Sequence, residues 1–139
     1  MASATRSVRS TTTGRYVKKT PRGRRVGEPT EISQRAGFVI TMLGGVTATS
    51  QLIGVSKSQP SRWSTGEEAP SPEKARELLD LDHVLARANL LWGDRELVVD
   101  WLTGANAYLG GATPLEVIRT RGVNEVVAAL DEAASGAYA

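Results

Sequence analysis

Residues 51–63 read Gln-Leu-Ile-Gly-Val-Ser-Lys-Ser-Gln-Pro-Ser-Arg-Trp, and this stretch says most about the fold. A helix over residues 47–53 can end at the glycine of the turn 54–56, because glycine accepts the left-handed backbone that a tight turn requires. A further helix, the third in chain order, is predicted from about 57 to 64. Pro60 is tolerated there only because it falls in the first helical turn, where backbone donors have no intrahelical partner. The stretch therefore predicts two short helices joined by a turn.

A longer helix precedes this stretch. Between Glu31 and Leu43, apolar residues recur at the spacing of one helical face, and Gly44-Gly45 ends the pattern. The cap of the third helix is expected to be Ser56 or Ser58. The residues thus predict three consecutive helices over 31–69.

These three helices resemble a helix-turn-helix of the Xre repressor type. In that family the helix after the turn lies in the major groove, and its early residues reach base edges. The resemblance implies that five residues face DNA: Lys57, Ser58, Gln59, Ser61 and Arg62. Pro60 stands where the family usually has an aliphatic packing residue, which leaves open which side chains reach bases. The alternative is a three-helix packing unit without DNA binding.

The net charge of +2 is unevenly distributed along the 139 residues. Residues 1–30 carry eight basic residues and one acid, residues 31–69 carry three of each sign, and residues 70–139 carry six basic and eleven acidic residues. The first segment has hardly any apolar residue and is expected to be a flexible basic arm. Arg22, Arg24 and Arg25 are candidates for minor-groove or phosphate contacts. A solubilising tail is an equal alternative, and an organelle transit peptide ranks third.

A long helix is predicted after the Pro-bearing connection 66–72, with Ser71 as cap and Pro72 at the first position. Its apolar stripe recurs at steps of three and four up to Gly93, through Leu78, Leu81, Leu85, Ala88 and Trp92. The stripe can pack on its own domain or on a second copy, so a homodimer is plausible. His83 is expected to be a surface histidine, and the nearby acids Glu77, Asp80 and Asp82 a solvated face.

Further helices are predicted in the C-terminal half. Asp94 caps a short one, with an apolar cluster of Leu97, Val98, Trp101 and Leu102, which Gly104 terminates. After the tight loop 105–112, Thr113-Pro114-Leu115-Glu116 combines a capping box with a first-turn proline. A final helix carries five residues inward: Val123, Val126, Val127, Leu130 and Ala134. A tail over residues 135–139 follows.

The C-terminal half resembles the toxin-binding domain of Xre-type antitoxins, the MbcA- and ParS-like partners of RES-domain toxins. The resemblance covers roughly residues 73–139 and depends on elements in family order: Trp101-Leu102, Asn106, Leu109-Gly110-Gly111, Thr113-Pro114-Leu115-Glu116, Gly122, Val126, Leu130 and Gly136-Ala137-Tyr138-Ala139. Gly104 replaces the proline usual before the asparagine. The resemblance implies a toxin that consumes NAD, whose cofactor-pocket entrance is covered by the last helix and tail: Ser135, Gly136, Ala137, Tyr138 and Ala139. Fraying of this tail is the alternative.

The sequence offers no pattern for catalysis, a cofactor or a metal. It has no cysteine, no phosphate loop and one histidine, and no apolar run approaches the roughly 20 residues that cross a bilayer. We expect an all-α, non-enzymatic, soluble cytoplasmic protein: a basic arm (1–30), a helix-turn-helix region (31–69) and a toxin-binding domain (70–139). Its expected partners are a RES-domain toxin, operator DNA and a second copy. The alternatives are a stand-alone repressor and, more weakly, a nucleoid-associated protein.

Overall fold

The computed structural model describes residues 30–136, and in this range every regular element is helical, as predicted. The basic arm up to residue 29 and the last three residues, 137–139, lie outside the described range. The seven α-helices are α1 (Glu31–Leu43), α2 (Val46–Ile53), α3 (Ser58–Thr65), α4 (Pro72–Trp92), α5 (Arg95–Thr103), α6 (Pro114–Arg121) and α7 (Asn124–Gly136). A short 3₁₀ turn at Ala107–Leu109 lies between α5 and α6.

Four helices begin at side-chain caps that satisfy otherwise unpaired backbone N–H groups. Thr30 accepts from the Ser33 N–H, Ser71 from Lys74, Asp94 from Glu96 and Leu97, and Thr113 from Glu116. Thr113 and Glu116 form the predicted capping box, and the Ser71 and Asp94 caps are also as predicted. Each such cap stabilises its helix by about 1 kcal/mol.

The start of α3 differs from the prediction that Ser56 or Ser58 caps it. Lys57 occupies the cap position with helical backbone angles and makes no capping hydrogen bond. The Ser56 hydroxyl instead lies 3.3 Å from Gln59 Oε1, which also accepts from the Ser56 N–H at 3.2 Å. The cap prediction was wrong because the Gln59 side chain folds back over the turn, where its Oε1 accepts hydrogen bonds from both the N–H and the hydroxyl of Ser56.

One hydrophobic core draws on all seven α-helices. Its largest fully buried side chain is Trp63 of α3, which is 2% exposed. Helix α1 packs against both α3 and α4. The predicted α4 stripe is buried in the chain's own core from Leu78 to Ala88, while Trp92 is half-buried with its ring centroid 5.8 Å from that of Trp101.

The exposure of Leu97 on α5 differs from the prediction. Leu97, which we expected to pack with the apolar cluster of α5, is 50% exposed. On this short helix only Val98 and Leu102, one turn apart, are fully buried, so the buried face is narrower than the predicted cluster.

Within residues 30–136 no single helix is long and apolar enough to cross a membrane. Helices α1 and α2 pass such a test only as a pair bent by 96°.

Candidate DNA-facing and partner-binding surfaces

Helix α3 exposes most of the residues predicted to face DNA. Lys57, Ser58, Ser61 and Arg62 are exposed, and Gln59 is half-buried. The face opposite to them is buried through Pro60 and Trp63. Pro60, in the first turn, therefore takes the packing position that an aliphatic residue usually fills, and the departure from the family pattern leaves α3 anchored in the core.

A carboxylate from the segment after α3 lies against this exposed face. Glu68 Oε1 is 3.6 Å from Arg62 Nη1, and Glu68 Oε2 accepts a hydrogen bond from Gln59 Nε2 at 3.4 Å. Two of the five predicted DNA-facing side chains are thus already engaged by an acid. Sequence reasoning missed Glu68 because it belongs to a loop, where no periodicity indicates its direction.

The end of α2 is held by two cations from the C-terminal half. Lys74 Nζ donates to the Ile53 carbonyl at 3.1 Å, and Arg119 Nη1 donates to the Leu52 carbonyl at 3.4 Å. Positive charge is favourable at a helix C-terminus, where carbonyl groups lack intrahelical partners. Since α2 has no basic residue in its own last turn, α4 and α6 supply this charge.

Both cations converge on Glu77, the buried acid of α4. Glu77 Oε1 accepts from Lys74 Nζ at 3.0 Å, and Glu77 Oε2 lies 3.1 Å from Arg119 Nε. The Glu77 side chain is only 4% exposed, so the prediction of a solvated acid was wrong. Its position four residues before Leu81 places it on the buried face of α4, and this spacing could have revealed it. His83, in contrast, is exposed as predicted.

A third cation reaches the end of α1, where Arg95 Nη1 donates to the Met42 carbonyl at 3.4 Å. The glycines that end α1 and α2 leave room for these arginines. A Cβ atom at Gly44 would lie 3.1 Å from Arg95 Nη1, and one at Gly54 would lie 3.1 Å from Arg119 Nη2. Both glycines also have positive φ, +101° and +72°, which other residues rarely adopt.

Arg35 of α1 links this helix to α4 through an ion pair. Its guanidinium donates to Glu31, one turn earlier, and to Asp82. The hydrogen bonds to Glu31 and Asp82 raise the pKa of Arg35 above its ordinary value. Asp82 is therefore half-buried in an ion pair rather than part of a solvated face.

Asn106 organises the loop before α6. Its N–H donates to the Ala112 carbonyl at 3.0 Å, its own carbonyl accepts from the Gly111 N–H at 2.9 Å, and its Oδ1 accepts from the Tyr108 N–H at 2.9 Å. These bonds close the loop on itself. Leu109 points into the core, while the Tyr108 side chain is left 56% exposed.

Helix α7 ends the described chain. Val126 and Leu130 are buried as predicted, whereas Val123, Val127 and Ala134 are half-buried. The helix continues to Gly136, so Ser135 and Gly136 are exposed helical residues, not the start of a tail as predicted. The other candidate toxin-binding residues, Ala137, Tyr138 and Ala139, lie outside the described range, as do Arg22, Arg24 and Arg25 of the arm.

A shallow groove runs between the end of α4 and the second half of α7. It has a volume of about 340 Å³ and is lined by Arg87, Leu90, Leu91, Leu130, Asp131 and Ala134. Leu90 is 87% exposed, the highest value among the exposed large apolar side chains. An ion pair between Arg87 Nη2 and Asp131 Oδ1, 2.8 Å long, joins the two helices at this groove.

In residues 30–136 no three His, Asp or Glu side chains are grouped so as to hold a metal ion.

Comparison with known proteins bears on this C-terminal part. Residues 87–136 match the family model described as the antitoxin Xre/MbcA/ParS C-terminal toxin-binding domain. The predicted resemblance to Xre/MbcA/ParS antitoxins is confirmed. The match includes α5, the Asn106 loop, α6, α7 and every residue that lines the α4–α7 groove.

The fold as a whole is similar to that of a solved chain. A chain in the crystal structure of the M. tuberculosis MbcT–MbcA toxin–antitoxin complex superposes with a TM-score of 0.65 at 20% identity, covering 77% of this chain and 96% of that one. At this identity the likeness establishes the fold alone. Among curated proteins no match was found.

Proposed function

We propose that the protein is an antitoxin that neutralises a RES-domain toxin by covering the entrance to the toxin's NAD pocket with the end of α7 and the residues that follow it. The observation that carries this proposal is the match of residues 87–136 to a toxin-binding domain. The fold shared with a chain of a toxin–antitoxin complex supports it.

The residues at the C-terminus suit such a role chemically. Ser135 and Gly136 are small and exposed at the end of α7, and the sequence continues with Ala137-Tyr138-Ala139. A narrow cleft shaped for a dinucleotide admits small residues and one flat ring, and the tyrosine supplies most of the area that becomes buried.

We propose further that α3 binds the operator of the protein's own promoter, so that the antitoxin also acts as an autorepressor. The exposure of Lys57, Ser58, Ser61 and Arg62 opposite a buried Pro60–Trp63 face supports this. The arginines of the arm add sequence-independent phosphate contacts. A homodimer places two such helices on two half-sites.

Neutralisation is tested by co-expressing the chain with a candidate RES-domain toxin and measuring growth and cellular NAD. We expect the full chain to restore both. Removal of residues 137–139 removes the segment after α7, and removal of 135–139 also shortens the helix. Both truncations should abolish protection while operator binding, measured by fluorescence anisotropy, stays unchanged.

Removal of residues 1–29 is the matched control at the other end of the chain. It should weaken DNA binding, and reduce its salt dependence, while leaving protection intact. If both C-terminal truncations still protect, occlusion by the tail is wrong. If the full chain binds operator DNA but neither binds nor neutralises the toxin, the stand-alone repressor is the correct function.

A further inference from the structure

We propose that the α4–α7 groove, with Leu90 as its central apolar contact, is a second docking site for the toxin, separate from the tail. This inference rests on the proposed antitoxin function. It predicts that the toxin rests on the side of the helical domain as well as receiving its C-terminus.

The first argument is the combination of an exposed leucine and an incompletely closed apolar cleft. A single exposed leucine is common on protein surfaces and means little. Here, however, Leu90 is 87% exposed and lies beside a groove whose floor includes Leu91, Leu130 and Ala134. Helix α4 packs its opposite face completely, with Leu85 and Ala88 both 0% exposed. Leu90 therefore contributes nothing to the core and is available to a partner.

The surroundings of the groove match the usual layout of a protein interface, an apolar centre with a polar rim. The rim is the Arg87–Asp131 pair, whose side chains remain 45% and 61% exposed. Both can rearrange toward a partner's charges without losing burial. The groove is open along one side, so it does not enclose a small molecule.

The location of the groove identifies the occupant as the toxin. All six lining residues fall within residues 87–136, the segment that matches the toxin-binding domain. Ala134, at one end of the groove, is two residues before the last residue of α7. A protein that receives the residues after Gly136 is consequently brought alongside the groove.

The experiment compares Leu90→Asp with two matched controls, Leu79→Asp and Leu97→Asp, all in the full chain. Leu79 is 43% exposed on the same helix but outside the matched segment, and Leu97 is 50% exposed on α5. Dissociation constants for the purified toxin are measured by biolayer interferometry, and thermal unfolding is recorded for each variant. Leu90→Asp should weaken binding at least tenfold, the controls less than threefold, and Leu90→Met should bind as the wild type does.

Further outcomes separate this inference from its alternatives. If Leu90→Asp binds the toxin as tightly as the controls do, the groove is not a docking site. If it dissociates a dimer of the free chain, measured by light scattering, while toxin affinity is unchanged, the occupant is a second copy. If the wild-type chain does not bind the toxin at all, the proposed function itself fails. Combining Leu90→Asp with removal of residues 137–139 should give multiplied losses, as expected for separate contacts.

Discussion

The ends of helices α1 and α2, in residues 31–69, are stabilised in a different way from the starts of α4, α5 and α6, in residues 70–136. Helices α4, α5 and α6 begin at the local caps Ser71, Asp94 and Thr113, as α1 does at Thr30. In residues 31–69, α1 and α2 have no basic residue in their last turns. Their carbonyl ends are met instead by three cations from the C-terminal segment: Lys74, Arg95 and Arg119.

This difference indicates an asymmetric dependence: the ends of α1 and α2 depend on cations from the C-terminal segment, whereas the starts of α4, α5 and α6 depend on residues next to them in the sequence. The helix-turn-helix region receives part of its electrostatic stabilisation from residues up to 67 positions away. Perturbing the C-terminal cations should therefore loosen the DNA-facing region, whereas perturbing a local cap should not.

The largest effect is expected from Glu77→Gln, which retains the shape of the side chain and removes its charge. Lys74 and Arg119 lose their shared buried partner, and breaking such a pair is costly because uncompensated charge remains. Since both cations are partly exposed, at 24% and 39%, we expect a loss of about 2 kcal/mol rather than the larger values of fully buried pairs. Urea unfolding measures this loss.

The matched control for Glu77 is Glu73→Gln, one turn earlier on α4. Glu73 is exposed but borders the same small cavity, which Lys74, Glu77 and Arg119 also line. It should change the free energy of unfolding by less than about 0.5 kcal/mol. Equal losses in the two variants would mean that the net charge of α4 matters and that the buried ion cluster does not.

Arg119→Met should cost less, about 1 kcal/mol, because Glu77 keeps its pair with Lys74, the apolar stem is kept and only the Arg119 contacts with Leu52 and Glu77 are lost. The informative readout is hydrogen exchange at the amides of Gly54 and Val55, which donate to the Ser50 carbonyl at the end of α2. These amides should lose protection although residue 119 lies in α6. Arg121→Met, which removes an exposed pair with Glu125, is the control and should leave them protected.

Thr113→Ala tests the other side of the comparison. It removes the acceptor for the Glu116 N–H and should cost about 1 kcal/mol or slightly less, as cap substitutions do. Exchange should accelerate in the first turn of α6 only. Faster exchange at Gly54 after this substitution would show that the local cap is coupled to the helix-turn-helix region, contrary to the asymmetry described above.

The same difference explains what could be predicted from the sequence. Caps such as Ser71 and Thr113 act over three residues, so their pattern is visible in the chain, and the all-α fold followed from helical periodicity. The contacts of Arg119 and Glu68 depend on tertiary proximity and have no local pattern. Glu77 is an intermediate case, since its spacing to Leu81 indicated the buried face although its acidity suggested solvent.

The smallest effect on stability, and a measurable one on DNA binding, is expected from Glu68→Gln. Arg62 and Glu68 are 51% and 36% exposed, so losing their pair should change the free energy of unfolding by less than about 0.5 kcal/mol. For DNA binding, the carboxylate both engages Arg62 and repels phosphates. Its removal should therefore tighten operator binding about threefold to tenfold at low salt, as measured by anisotropy at two salt concentrations.

The control is Glu67→Gln, which makes the same change in net charge at an exposed neighbour with no ion pair among the described residues. An equal gain in affinity there would mean that net charge alone explains the effect. Weaker binding by Glu68→Gln would mean that the carboxylate holds Arg62 in its DNA-binding position, and unchanged binding in both variants would place the DNA contact elsewhere than on α3.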